Sequence, residues 1–303
     1  TAFQNYCDYH KKQYRNQRNK EGKLNQLFIQ AYGLEDELDP YVKLEELSYW
    51  DDIVELCNGS VDFKKDVICQ NFISYSVGCM FGRYSLDEPG LILAKQGDNL
   101  NTYLAQIPDP TYIPDDDNVI PVLEEGWFSD DITERFKHFL RMTFGEEHYQ
   151  ENLNFLEEAI GREIRDFFLK DFYEYHCKMY SKPYYGKRPI YWMFESPKGY
   201  FKALIYIHRY RKDTVSVVLN DYLRPFRDKL IAQRDHLERL KKGGGSEAAK
   251  AIKKLEYIAE VLVDLRVYED DILYPLATQQ IEIDLNDGVD HNYPLFGKAL
   301  ASR

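Results

Sequence analysis

Apolar side chains recur at helical spacing along much of the chain. Over 21–34, five of them fall on one helical face and Gly33 is a suitable stop. These five are Leu24, Leu27, Phe28, Ala31 and Tyr32. The polar stretch 3–20 predicts an exposed helix before them, and strongly apolar or amphipathic runs predict further helices over 61–82 and 131–181. The pattern therefore predicts a mainly α-helical protein.

The pattern changes near the middle of the chain. PIYWMF (189–194) and YFKALIYIHRY (200–210) are rich in β-branched and aromatic residues, and the turn-forming sequence SPKG (196–199) separates them. This combination predicts a β-hairpin.

Beyond Asp213, apolar residues step by three and four in two segments separated by GGGS (243–246). The first segment contains Leu223, Phe226, Leu230, Leu237 and Leu240; the second contains Leu255, Ile258, Leu262, Leu265, Ile272 and Leu276. This is typical of an antiparallel helical hairpin with coiled-coil-like packing. Pro225 is expected to start or kink its first arm.

These patterns predict an α+β class that is mainly α, with a small β-hairpin or sheet element. The architecture expected is a helical bundle plus a long antiparallel helical hairpin. We divide the chain into five segments. They are an N-terminal helical segment (1–96), an acidic Pro-rich loop (97–130), helices with the β-hairpin (131–212), the helical hairpin (213–280) and a C-terminal tail (281–303).

Composition narrows the functional classes. The five cysteines form no CxxC pair, which argues against a zinc ribbon or a disulfide scaffold and favours a reduced, cytoplasmic setting. No apolar run approaches the ~20 residues that cross a bilayer, so no membrane partner is expected. KKGGGSEAAK (241–250) lacks the strand and spacing of a phosphate-binding loop, and the histidines are scattered. The acidic run Asp115–Asp117 is expected to lie in a solvated loop, so we predict no metal ligand there. Since no catalytic motif is present either, we predict no catalytic residue.

Charge singles out one region. The net charge of the whole chain is −12, yet residues 178–212 carry nine Lys or Arg and one acidic residue. The net charge of this region is therefore +8, and that of the rest of the chain is −20. Lys and Arg neutralise phosphates, and aromatic rings stack on bases or sugars. The candidate DNA-binding residues are Lys187, Arg188, Lys198, Lys202, Arg209, Arg211 and Lys212. An alternative of equal weight is a half-buried hairpin with Ile190, Trp192 and Phe194 inward and charges keeping the other face wet.

Several stretches, in order, resemble the C-terminal part of the PglX family, the adenine-specific DNA methyltransferases of BREX phage-defence systems. They are 24–38, 72–94, 115–140, 167–210 and 281–297. The matches at GCMFGRYSLD (78–87) and RPIYW (188–192) are the most specific. The resemblance implies methyl transfer from S-adenosylmethionine to N6 of adenine in double-stranded DNA, with the target base flipped out of the stack.

The resemblance also implies a glycine-rich cofactor loop and an N-P-P-Y type motif, and the sequence contains neither. We therefore expect a C-terminal fragment that is inactive alone, with S-adenosylmethionine bound by a missing catalytic domain. Its partners would be DNA, the upstream methyltransferase and target-recognition domains, and other phage-defence proteins. The fragment would brace the recognition domain and bind DNA weakly, without sequence preference. Reversal of Lys187, Arg188, Arg209 and Arg211 to Glu is expected to abolish that binding.

A second hypothesis is a stand-alone interaction module. In that case the acidic remainder of the chain would bind basic partners or mimic DNA, and the helical hairpin would be a dimerisation arm. An upstream methyltransferase region in the natural polypeptide would separate the two hypotheses.

Overall fold

A computed structural model of the protein describes residues 1–47, 52–57, 60–182, 186–242 and 245–303. The chain forms two units, Thr1–Phe72 and Ile73–Arg303.

The first unit is built on one long helix. Helix α1 spans Ala2–Tyr32, so the two predicted helices are continuous. Thr1 caps it by accepting a hydrogen bond from the Gln4 amide at 3.3 Å, and Gly33 ends it in the left-handed conformation (φ 64°), as predicted. Strands β1 (Val54–Cys57) and β2 (Ser60–Phe63) pair antiparallel, and no strand was predicted here; β2 takes residues 61–63 from the helix predicted over 61–82.

A small core holds this unit together. Tyr14 of α1 packs with Val54 of β1, with Ile53 just before that strand, and with Ile68. Ile68 lies near the start of helix α2 (Lys65–Met80), which continues into the second unit. Most of the C-terminal half of α1 has no part in this core, because Ile29 is the only buried side chain of 21–32.

Helices surround the sheet of the second unit. Those before the sheet hairpin are α3 (Leu100–Gln106), α4 (Ile132–Phe144), α5 (Tyr149–Ile160), α6 (Ile164–Lys170) and α7 (Phe172–Met179). Helix α3 and strand β3 (Val119–Pro121) lie within the segment predicted to be loop, so that prediction is wrong for these residues. Asn99 starts α3 by accepting a hydrogen bond from the Thr102 amide at 3.1 Å.

The predicted β-hairpin is confirmed. Strands β6 (Tyr191–Glu195) and β7 (Lys202–Tyr206) pair antiparallel, with Tyr191 opposite Tyr206 and Glu195 opposite Lys202. Strand β3 pairs with the other edge of β7. Two short strands, β4 (Ser181–Lys182) and β5 (Gly186–Lys187), pair just before β6.

Both faces of the β6–β7 hairpin are buried. Trp192 and Phe194 point into a large apolar cluster, as predicted, but Tyr191 and Met193 on the opposite face are buried too. The expectation of one wet face is therefore wrong. The aromatic side chains of β6 and β7 therefore belong to the core and do not form a stacking surface for bases.

The predicted helical hairpin is also confirmed. Helix α8 (Thr214–Val217) leads through a π-helical segment, Val218–Leu223, into α9 (Arg224–Lys241). Helix α10 (Gly245–Val267) packs back along α9, and a second π-helical segment, Tyr268–Leu273, leads into α11 (Tyr274–Gln279). Pro225 lies in the first turn of α9. The predicted break at GGGS includes residues 243–244, which lie outside the described residues.

The C-terminal tail closes the core. It contains 3-10 turns at Leu285–Asp287 and Tyr293–Ala299 and helix α12 (Val289–Asn292) between them. Phe296 packs edge-on against Trp192, and the Ala301 amide donates to the Met193 carbonyl at 2.8 Å. The fold is therefore mainly α with a small antiparallel sheet, the class predicted from the sequence.

Candidate nucleic-acid interface

The hairpin separates the seven candidate DNA-binding residues. Its five-residue strands are about 17 Å long. Lys198 lies in the turn at one end, and Lys202 begins β7 beside that turn. The remaining five residues flank the other end, where β6 begins and β7 ends; we call this the open end. The structure therefore does not bring all seven into one patch.

Two of the candidates are tied to the turn. Lys202 Nζ pairs with Glu195 across the strands at 3.0 Å and donates to the Leu169 carbonyl at 3.0 Å. Lys198 has an exposed side chain, but its backbone amide donates to the buried Asp264 carboxylate at 2.9 Å. This end of the hairpin is thus anchored on acidic groups.

Arg209 is part of the interior. Its side chain is 3% exposed and donates to the Phe81 carbonyl at 3.3 Å and the Asp116 carbonyl at 2.9 Å. Burial lowers the pKa of this guanidinium, while Asp115 and Asp117 act in the opposite direction. A guanidinium enclosed in this way does not reach a DNA phosphate, so we remove Arg209 from the candidate surface.

The acids facing Arg209 are also structural. Asp115 is buried, accepts a hydrogen bond from the Asn118 amide at 2.8 Å, and lies 3.7 Å from Arg135; burial raises its pKa. The expectation of a solvated run is therefore wrong for Asp115. Oxygens of Asp115, Asp116 and Asp117 lie within 4.8 Å of one another, but the fold itself uses this cluster, so we assign no metal to it.

The open end presents the accessible cations. Arg188 pairs with Asp290 at 3.1 Å and Arg211 with Asp213 at 3.0 Å, all with about half of their side-chain surface exposed. Exposed pairs of this kind contribute little stability, so their cations can exchange partners. Lys187 is half-buried and Lys212 is exposed, and neither has an ion-pair partner among the described residues.

A second structural feature, which residue patterns did not predict, lies in the stretch GCMFGRYSLD (78–87). Helix α2 ends there in a Schellman motif: the Gly82 amide donates to the Cys79 carbonyl at 3.0 Å and the Arg83 amide to the Gly78 carbonyl at 2.8 Å. Gly82 adopts φ +74°, the left-handed conformation that this motif requires. The motif reverses the chain, so Arg83 and Tyr84 turn back over α2.

RPIYW is held by α7. The buried His176 accepts hydrogen bonds at Nε2 from the amides of Ile190 (3.2 Å) and Tyr191 (3.0 Å). Burial, assisted by the charge of Arg83, lowers the pKa of His176 to about 3. The Tyr191 ring stacks on Phe81 at 5.3 Å, so the two stretches that carry the strongest resemblance meet in space.

No protein-family model matches the chain. The adenine-specific methyltransferase BrxX of Escherichia coli O9:H4 (strain HS) is 34% identical over 99% of this chain and 26% of its own length. The adenine-specific methyltransferase PglX of Lacticaseibacillus casei (strain Zhang) is 37% identical over 90% of this chain and 22% of its own length. The chain is homologous to a part of the PglX family. It spans about a quarter of the length of these curated relatives, and the resemblance stated from the sequence is confirmed.

Homology to a part of the PglX family raises the question of S-adenosylmethionine. The cofactor loop expected in such enzymes joins a strand to a helix through glycines. Strand β6 leads into a hairpin turn and β7 into a 3-10 turn, Ile207–Arg209, so neither supplies such a loop. The ends of β6 and β7 therefore do not form a glycine loop of the kind that holds the cofactor. Among the described residues, no helix is both long and apolar enough to cross a membrane.

Proposed function

We propose that this chain is a non-catalytic part of an adenine-N6-specific DNA methyltransferase of a phage-defence system, which works in the cytoplasm. In this proposal it contacts the DNA backbone and braces the part of the enzyme that recognises the target sequence. S-adenosylmethionine would bind elsewhere in the longer protein. The two methyltransferase relatives, which match nearly the whole chain, support this assignment.

The observation that carries the DNA contact is the charge of the open end. Lys187, Arg188, Arg211 and Lys212 flank it, two of them without ion-pair partners in the described part of the chain. Contacts from such side chains go to phosphates, which carry no sequence information directly. The net charge of −12 opposes association with DNA, so binding by the isolated chain should be weak.

The test is binding to labelled duplex DNA, measured by fluorescence anisotropy at about 50 and about 200 mM salt. The wild-type chain should bind weakly, lose affinity as salt rises, and show no preference between unrelated sequences. Replacing Lys187, Arg188, Arg211 and Lys212 together by Glu should abolish binding.

A matched control carries the same change in charge elsewhere. Lys241, Lys242, Lys250 and Lys253 are exposed near the tip of the helical hairpin. Their replacement by Glu should change affinity by no more than about threefold, since charges beyond a Debye length of ~10 Å are screened. Equal losses in both variants, or full binding by the open-end variant, would contradict the proposed contact.

The bracing role is supported by an apolar stripe on α1, formed by Leu24, Leu27, Phe28 and Tyr32. These side chains are 52%, 64%, 55% and 74% exposed. A concave surface beside the stripe is lined by Phe28, Tyr32, Leu34 and Leu38. Contiguous exposed apolar surface of this kind marks protein interfaces. Because the relatives are about four times as long as this chain, we propose that the rest of the methyltransferase polypeptide covers the stripe.

A further inference from the structure

Arg83 is a half-buried arginine whose partners are phenols. Its Nε donates to the Tyr84 hydroxyl at 3.3 Å and its Nη1 to the Tyr206 hydroxyl at 2.9 Å. The guanidinium carbon lies 5.5 Å and 5.9 Å from the centres of these two rings. No carboxylate of the described residues pairs with it. Comparably enclosed arginines of the same unit do face acids: Arg135 pairs with Asp115 and Arg227 with Glu269.

The surroundings leave the charge of Arg83 uncompensated. The nearby histidines are neutral, because burial, with the charge of Arg83 as a second cause, lowers the pKa of His176 to about 3 and that of His208 to about 4. An enclosed charge without a counter-charge is unfavourable unless other contacts offset it. The ring faces of Tyr84 and Tyr206 offset part of this. An arrangement of this kind is suited to an anion supplied from outside the fold.

The tyrosines that hold Arg83 are themselves fixed. The Tyr206 hydroxyl donates to the Leu93 carbonyl at 2.8 Å, so its oxygen is oriented to accept from Arg83. Tyr84 stacks on Tyr75, with ring centres 5.3 Å apart and planes 25° from parallel. The Schellman motif sets the backbone of Arg83 itself. The guanidinium therefore has a defined orientation before any ligand arrives.

The guanidinium remains accessible. Arg83 is only partly buried, and besides Tyr84 and Tyr206 its guanidinium interacts with the Tyr180 hydroxyl. Tyr84, Tyr180 and His208 in its surroundings are each partly exposed. The site also lies at the open end of the hairpin, because Tyr206 is the last residue of β7. A planar guanidinium fork matches the oxygens of a phosphate, and partly exposed rings stack on sugars and bases.

We propose that Arg83 is the centre of a phosphate-binding site that holds a backbone phosphate of DNA, flanked by the rings of Tyr84 and Tyr180. This inference rests on the proposed function and assigns one phosphate contact to a named residue. It adds a cation held in a fixed orientation to the more exposed cations of the open end.

Duplex binding tests the proposal in the intact chain. R83Q should weaken binding about tenfold and reduce the slope of log K against log[salt] by about one, the change expected for one lost phosphate contact. R83K keeps the charge without the fork, so it should retain the salt slope and recover part of the affinity. R141Q is the control, because the partners of Arg141 are Glu146 and the Tyr149 ring rather than any side chain of the site, so its binding should match the wild type. Circular dichroism and thermal unfolding of each variant check that it is folded.

A second readout separates this proposal from the DNA contact in general. Inorganic pyrophosphate should raise the melting temperature of the wild type and of R141Q but not that of R83Q. If the wild type binds DNA and R83Q binds with the same affinity and salt slope, the Arg83 assignment is overturned and the proposed function stands. If pyrophosphate stabilises the wild type and R141Q but not R83Q while no form binds DNA, the site binds phosphate and the DNA contact fails. Equal pyrophosphate shifts in all forms overturn the site.

Discussion

At the scale of single residues, Gly78 decides where Tyr84 lies. A Cβ atom built on Gly78 would stand 2.3 Å and 2.7 Å from two carbons of the Tyr84 ring, far inside van der Waals contact. Glycine in a helix is unfavourable by up to about 1 kcal/mol relative to alanine. At this position the absent side chain leaves space for the ring that holds Arg83.

We therefore expect Gly78→Ala to lower the free energy of unfolding by about 1–3 kcal/mol, as overpacked cores do. Gly22→Ala, in the middle of α1, is the control: its Cβ meets only the Pro40 carbonyl at 3.4 Å, so it should be neutral or stabilising. Urea unfolding measures both. In the background of Tyr84→Ala the Gly78→Ala substitution should lose its penalty, and an unchanged penalty would contradict the steric explanation.

At the scale of elements, His176 joins helix α7 to the start of strand β6. Its Nε2 satisfies two backbone amides of the strand, while its Nδ1 has no hydrogen-bond partner in the structure that is described. The ring is buried and neutral, since protonation would remove the acceptor and place a second charge near Arg83. The junction should therefore weaken in acid.

The direction of the pH dependence follows from the pKa values of His176 in the folded and unfolded states. Unfolded His176 titrates near 6.5 and the folded residue near 3, so between these values the unfolded state binds the extra proton. The contribution of neutral His176 to the free energy of unfolding is therefore fully present above about pH 6.5, and it is lost progressively as the pH drops toward 3. From pH 7 to pH 5 this histidine should remove about 2 kcal/mol from the free energy of unfolding. His176→Gln keeps an acceptor without the titration, so urea unfolding at both pH values should show a correspondingly smaller loss; an equal loss would refute the assignment.

Elements with a strong internal period could be predicted from the sequence, and elements set by distant contacts could not. The helical hairpin follows from its three- and four-residue steps, and β6 and β7 from their composition and turn. Strand β3 is three residues long and exists because it pairs with β7, more than eighty residues later. Helix α3 has only seven residues, too few for a clear period.

The same distinction applies to the candidate site. Counting charges found the basic region, but the sequence gives no sign that Arg209 is buried under carbonyls while Arg188 is exposed. Arg83 lies outside that region and reaches its open end only through the fold of α2 against β7. The density of charged residues in the sequence predicts where a basic region lies. The structural partners of each cation then decide whether that cation is buried or available to bind a ligand.

At the scale of the whole molecule, the exposed stripe of α1 provides a test of the proposal that the rest of a longer polypeptide covers it. Replacing Leu27, Phe28 and Tyr32 by Ser removes three of its four apolar side chains without touching a buried residue, so the fold should persist. Binding to the separately produced remainder of the methyltransferase polypeptide, measured by calorimetry, should weaken at least tenfold, which corresponds to about 1.4 kcal/mol. Tyr9→Ser with Tyr41→Ser, two exposed rings outside the stripe, should leave this binding unchanged. If the stripe variant binds the remainder as the wild type does, or if the stripe only joins two copies of this chain, the bracing role is wrong.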